Sequence, residues 1–214
     1  MGTIAVVDYG MGNLRSVARA LEHVAPANAR VRVTDRADVI TAADRVVFPG
    51  QGAARDCMRA IDEHGLREPL LAAARTRPFL GMCMGLQVLL GHSEENGGTD
   101  CLGLFPGEVR RFAPNLSGPG NGMRLKIPHM GWNGVRQVIA HPLWAGIDDD
   151  APFYFVHSYY ADPESDDLVA GLTEYGHEFA SVLAAGHVFA CQFHPEKSSR
   201  DGLRLLSNFV SWQP

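Results

Sequence analysis

The first hundred or so residues alternate two hydrophobic periods. Thr3 to Asp8 is a short, β-branched apolar run that predicts a strand, whereas Leu14, Val17, Ala18, Leu21 and Val24 recur with the stripe of one helix face. The cycle repeats. Ala29 to Thr34 and Arg45 to Phe48 predict strands, Ala53 to Ala74 a largely helical stretch, Pro78 to Met82 a strand, and Met84 to Leu90 the helix after it. Near-continuous apolar strands between amphipathic helices predict a parallel sheet covered on both faces. The second half changes to short segments with turn signals. Ala113 to Gly122, rich in Gly, Pro and Asn, reads as a loop or ragged hairpin. Tyr154 to Tyr160, Val169 to Tyr175, Phe179 to Ala184 and His187 to Phe193 read as consecutive strands, closed by a helix around Gly202 to Trp212. The expectation is an α/β fold, a central mostly parallel sheet flanked by helices with an antiparallel appendage, in one domain over residues 1–214. There is no internal repeat and no linker.

Composition narrows the class. A chain of 214 residues that is 46% hydrophobic can bury about 70% of its unfolded surface, which excludes disorder and a small disulfide scaffold. With 19 Lys+Arg against 24 Asp+Glu the net charge is −5, and no basic run exceeds two residues, so neither nucleic acid nor an anionic membrane is an expected partner. Cys57, Cys83, Cys101 and Cys191 form no C-x-x-C pair and no zinc-spaced grouping, so reduced thiols and no metal are expected. The start lacks a basic n-region, its apolar run is broken by Asp8, and no stretch approaches the ~20 apolar residues of a membrane helix. A soluble, cytoplasmic protein is the expectation.

The chemistry concentrates in Gly81-Met82-Cys83-Met84-Gly85, where an apolar strand turns abruptly into a helix. Such a nucleophile elbow leaves no room for side chains two positions either side of the nucleophile, which suits Gly81 and Gly85, and it lifts Cys83 toward the open end of the sheet with a helix N-terminus favouring the thiolate. The bland alternative is a small buried cysteine between packing glycines. A base is offered by His194-Pro195-Glu196, 111 residues downstream at the end of an apolar strand. Residues two apart in an extended segment share a side, so Glu196 can orient His194, which can take the proton of Cys83. Oxyanion donors are suggested at the Met84 N–H and in Pro49-Gly50-Gln51-Gly52, whose glycines allow close backbone approach. The other eight histidines and the other three cysteines read as structural. Gly10-Met11-Gly12 lacks the third glycine of a dinucleotide fingerprint and is a weak signal.

These segments, with Phe193 to Ser198, resemble the class I, triad-type glutamine amidotransferases, whose fold is flavodoxin-like. Three further motifs, Asp8 to Ser16, Lys126 to Asn133 and Tyr154 to Tyr159, resemble the glutaminase subunits of imidazole glycerol phosphate synthase. The resemblance runs in order from residue 8 to 198. It implies hydrolysis of glutamine by Cys83, His194 and Glu196, with the ammonia channelled to a cyclase subunit of (β/α)8-barrel fold in a heterodimer, and with no cofactor. It further implies an oxyanion hole at Gln51, Gly52 and Met84. Substrate contacts are implied at Gly50, Gly52, Gln87, Glu95, Ser158 and Tyr159, and partner-facing positions at Asn13, Lys126, Pro128, Met130, Trp132, Tyr154 and Lys197. Gln51 stands where the family often has valine, a change the backbone N–H tolerates. The family's glutaminase is nearly silent until the cyclase binds its ligand, and the same is expected here. Amidotransferase subunits serving anthranilate, pyridoxal phosphate or carbamoyl phosphate synthesis share the triad but should lack the Lys126 to Asn133 motif. A non-catalytic regulatory partner would have no need of an intact Cys83, His194 and Glu196.

Overall fold

The computed structural model describes residues 2–118, 122 and 124–214. Strands β1 (Thr3–Val7), β2 (Arg30–Thr34), β3 (Arg45–Gly50) and β4 (Phe79–Cys83) are connected by α1 (Leu14–Val24), α2 (Ala37–Ala42), and α3 (Ala54–Glu63) with α4 (Arg67–Thr76). After the four-residue helix α5 (Met84–Gln87) come β5 (His92–Ser93), β6 (Thr99–Asp100), β7 (Gly107–Arg111), β8 (His129–Gln137), β9 (Ala151–His157) and β10 (Tyr159–Pro163). The chain ends with β11 (Val169–Glu174), β12 (Glu178–Ala185), β13 (Val188–Cys191) and α6 (Ser199–Ser211).

The sheet runs β2-β1-β3-β4-β13-β12-β10-β7-β5-β6, parallel from β2 through β13 and antiparallel across β13, β12, β10 and β7. Off this path, β11 pairs with β12 and with β8, and β8 pairs with β9. Alternation along β1 explains the two cores. Ile4 and Val6 join Val17 and Leu21 of α1 and Leu205 and Phe209 of α6 on one face, while Ala5 and Val7 join Ile40, Cys57, Ile61 and Leu70 on the other. Helices therefore cover both faces of the parallel half, as the sequence pattern predicts.

Several boundaries differ from the expectations. The helix expected over Met84 to Leu90 stops after one turn, because the carbonyls of Val88, Leu89 and Leu90 accept from Leu102, Phe105 and Gly103. Ala53 to Ala74 breaks into two helices at Gly65, which takes φ 64°. Tyr154 to Tyr160 is two strands parted at Ser158, since β9 pairs with β8 whereas β10 pairs with β7 and β12. Within Ala113 to Gly122, Ser117 bridges Arg124 in antiparallel sense; residues 119–121 lie outside the described residues, as does residue 1. Among the described residues no helix is long and apolar enough to cross a membrane.

Candidate active site

The elbow is built by exclusion. Cys83 sits at φ 55°, ψ −110°, a backbone state that a residue with a side chain rarely adopts. The turn is so tight that a Cβ on Gly85 would lie 1.9 Å from the Phe48 carbonyl oxygen, and one on Gly81 would lie 2.7 Å from the Gly85 oxygen. The α5 macrodipole invoked from the sequence is reduced to a single turn, but Met84, as its first residue, still has an N–H without an intrahelical acceptor. Gly50 is the register partner of Cys83 across β3 and β4, and a Cβ there would meet the Tyr9 hydroxyl at 2.3 Å and Met84 Cβ at 2.9 Å. The Gly50 to Gly52 turn is thus pressed against the elbow, with Gly52 at φ 96° and the Gln51 carbonyl accepting from the Cys57 thiol at 3.6 Å.

His194 is delivered by the neighbouring strand. Parallel pairing of Ala190 with Gly81 and Cys191 with Met82 brings the end of β13 beside the elbow. The His194 N–H donates to the Tyr154 carbonyl at 2.9 Å, and Ser198 Oγ donates to the His194 carbonyl at 2.7 Å while accepting from the Tyr154 N–H. The extended run expected through Glu196 is instead a 3-10 turn, Pro195–Lys197, in which the Lys197 N–H donates to the His194 carbonyl at 3.0 Å; across it the imidazole Nδ1 lies 3.0 Å from Glu196 Oε1, with both side chains almost wholly buried. Nε2 is buried with no hydrogen-bond partner of normal geometry, yet Cys83 is near enough to shift its titration. Burial pulls the His194 pKa down, but Cys83 and Glu196 together outweigh it and raise the value from 6.5 to about 10.

A cavity of about 350 Å³ opens over Cys83 and His194, and Gln51, Gly52, Met84, Gln87, Glu95, Ser158 and Tyr159 all lie in its walls. Gly50 sits behind them in β3. Glu95 Oε2 accepts the Ala54 N–H at 2.7 Å. Both N–H groups of the Gln87 amide are already engaged, by the Tyr159 carbonyl and by Gln192, so only its oxygen remains for a ligand. Gln192 escaped the sequence reading because a lone polar residue at the end of an apolar strand resembles filler; the available signal was that a buried amide must find partners.

The expected partner-facing residues divide. Met130 and Trp132 are 62% and 52% exposed on β8, Trp132 pairs with Tyr154 across to β9 with their rings 6.1 Å apart, and Lys197 Nζ lies 6.0 Å above the Tyr154 ring. Pro128 and Lys197 also line the cavity, so this patch borders its mouth. Lys126 is exposed and offers its carbonyl to the Tyr175 hydroxyl. Asn13 lies outside the cavity walls and caps α1, accepting from the Ser16 N–H at 3.4 Å. The structural reading of the other thiols is consistent with burial, which pushes Cys57 up to about 12, Cys101 up to about 11, and Cys191 well above the usual thiol range. Among the described residues no His/Cys/Asp/Glu group could hold a metal ion.

Comparison with known proteins covers nearly the whole chain. The family profile described as Glutamine amidotransferase class-I matches residues 5–212. Imidazole glycerol phosphate synthase subunit HisH of Thiobacillus denitrificans is 61% identical over 211 residues, covering 99% of this chain and 92% of that protein. The subunit of the same description from Aromatoleum aromaticum is 55% identical and aligns over 100% of both. Among solved structures, PurLQS from Thermotoga maritima superposes with a TM-score of 0.71 at 17% identity, covering 98% of both chains, a likeness of fold. At such identity over nearly the full length, the chain belongs to the class-I glutamine amidotransferases, among the HisH subunits of imidazole glycerol phosphate synthase.

Proposed function

We propose that the chain, acting as one domain, hydrolyses glutamine to glutamate and ammonia and passes the ammonia to a cyclase subunit of (β/α)8-barrel fold. The cyclase uses it to make imidazole glycerol phosphate and aminoimidazole carboxamide ribonucleotide in histidine biosynthesis. The single observation that carries the reading is a buried cysteine at a strained elbow, beside a histidine oriented by a carboxylate, in a cavity bordered by an exposed Met130–Trp132 strand. The complex is a cytoplasmic heterodimer and needs no cofactor.

Cys83 Sγ attacks the side-chain carbonyl carbon of glutamine, and the charge that develops on oxygen is met by N–H groups at Gln51, Gly52 and Met84. His194 takes the Cys83 proton as the sulfur attacks and, with its pKa raised by Cys83 and Glu196 against the pull of burial, gives that proton to the departing nitrogen as the C–N bond breaks. Water then opens the thioester, His194 takes a proton from it, and glutamate leaves as Cys83 is restored. Glu196 fixes the imidazole and balances its charge throughout. Gln87 and Glu95 line the glutamine pocket, and the backbone around Gly50 to Gly52 and Ser158 to Tyr159 contacts the amino-acid end of the substrate or the oxyanion. Met130, Trp132, Tyr154 and Lys197, with Asn13, Lys126 and Pro128, face the cyclase. Ligand on the cyclase favours a conformer in which the 50–52 backbone turns an N–H into the site.

Glutamate release tests this directly, measured for the chain alone, with the cyclase, and with the cyclase plus its nucleotide ligand. The expected result is activity in the liganded complex that Cys83→Ala abolishes. Hydrolysis that survives Cys83→Ala would end the nucleophile assignment, and an isolated chain as fast as the liganded complex would end the activation scheme.

A further inference from the structure

The buried Gln192 amide has an orientation that can be deduced. A carbonyl only accepts, so the Gln87 nitrogen, not its oxygen, faces the Tyr159 carbonyl at 2.9 Å. The same nitrogen lies 2.9 Å from the Gln192 side chain, which must therefore present Oε1 to it. The Gln192 NH2 group is left aimed at Cys83 Sγ, 3.7 Å away.

A second chain, buried at His129 and His157, locks the anchor of the first. Asn133 donates to the Glu174 carbonyl at 2.9 Å, so its NH2 is also what meets His129 Nε2 at 3.3 Å. His129 Nδ1–H then donates to His157 Nε2 at 3.0 Å, and His157 Nδ1–H donates to the Tyr159 carbonyl at 2.8 Å. Burial keeps both rings neutral, with pKa values lowered to about 4 and about 3, as this one-way chain requires. Two donors occupy the Tyr159 carbonyl, and neither amide can turn over without stranding a buried polar group.

We propose that Gln192 is a positioning residue for Cys83: its side-chain N–H, held in one orientation by Gln87 and the Tyr159 carbonyl, donates to Sγ, fixes the side chain's direction and favours the thiolate. A hydrogen bond to sulfur strengthens when the sulfur carries charge, so the contact acts on reactivity as well as on placement. The inference rests on the reading of Cys83 as nucleophile.

Gln192→Met keeps the length of the side chain and removes the donor. Alkylation of Cys83 by iodoacetamide, followed by mass spectrometry as a function of pH in the full chain, should shift to higher pH. Below the midpoint the rate should fall about tenfold, the effect of a displacement of one unit, while the alkaline plateau is unchanged. His194 with Glu196, the cavity-lining Glu95 and Lys197, and Cys191, Cys57 and Tyr9 are the charged and titratable groups around Cys83 in both proteins, so the difference between the two profiles isolates Gln192. Superimposable profiles would overturn the proposal. Should Gln192→Met not fold, side-chain amide resonances of the unaltered chain serve instead. One amide pair should titrate in step with Cys83 alkylation and lose that response in Cys83→Ala, and no such pair would overturn the proposal equally. Glutamine hydrolysis by Cys83→Ala would instead refute the nucleophile reading, so the two failures are distinguishable.

Discussion

Glu95 caps the helix that follows the Gly50 to Gly52 turn: its Oε2 accepts the N–H of Ala54, the first residue of α3, which has no capping side chain of its own. One carboxylate therefore both lines the cavity and secures the exit of the turn. Two substitutions separate these roles. Glu95→Gln keeps an acceptor and should hold the unfolding free energy to within ~0.5 kcal/mol while raising KM for glutamine. Glu95→Ala should lose ~1 kcal/mol besides, the usual worth of a cap. Urea unfolding and steady-state kinetics read the two effects, and an unchanged KM in Glu95→Gln would remove Glu95 from the substrate site.

Stability should fall as pH rises across the range set by His194. Its pKa is raised to about 10 in the folded chain from 6.5, so between those values the folded state keeps a proton that the unfolded state releases. The contribution is complete below pH 6.5 and is lost as pH rises through 10. Glu196→Gln weakens one of the two attractions and should flatten this decline in urea midpoints. Parallel curves for the two proteins would contradict the coupling.

Gly85→Ala should be among the most damaging single-methyl additions, because the new Cβ would fall 1.9 Å from the Phe48 oxygen and force β3 away from the elbow. Overpacking of this kind costs ~3 kcal/mol. A thermal melt equal to that of the unaltered chain would mean that the elbow is looser than its geometry.

Trp132→Ala removes a ring that is half exposed, so its own stability should change by less than ~0.5 kcal/mol. Association with the cyclase should weaken measurably in titration calorimetry, as aromatic anchors dominate interfaces. Unaltered affinity would detach this patch from the partner surface.

What could be read from sequence was what local sterics or short spacing determine. Gly81 and Gly85 flank Cys83 because a turn of a few residues leaves no alternative, and the short spacing of His194 and Glu196 brings them together, though through a 3-10 turn over Pro195–Lys197 and not the extended chain expected. The near-continuous apolar run of β1 and the stripe of α1 made the parallel half legible. Features decided by distant chain were illegible. Nothing near Val88 signals that its carbonyl will accept from Leu102, which ends the helix expected there. The strand over His129–Gln137 was hidden by Gly131, at φ 136°, and Gly134, whose missing Cβ makes room for Asp150. Gln192 carries no local mark of its three-residue path to Tyr159; that needed residues 87 and 159 in place.

The pairing of β13 with β4 has a consequence for the order in which the molecule is made. Chains emerge from the ribosome N-terminus first, and domains fold as the sequence needed for them becomes available. Here the middle of the sheet, between β4 and β12, is filled by the strand made last, Val188–Cys191. Until it docks, β4 has an open edge and His194 is not beside Cys83. Long-range closures of this kind are slow relative to local ones. The site around the thiol therefore forms only after β13 has been made, and a growing chain passes through the synthesis of the preceding strands without His194 beside Cys83.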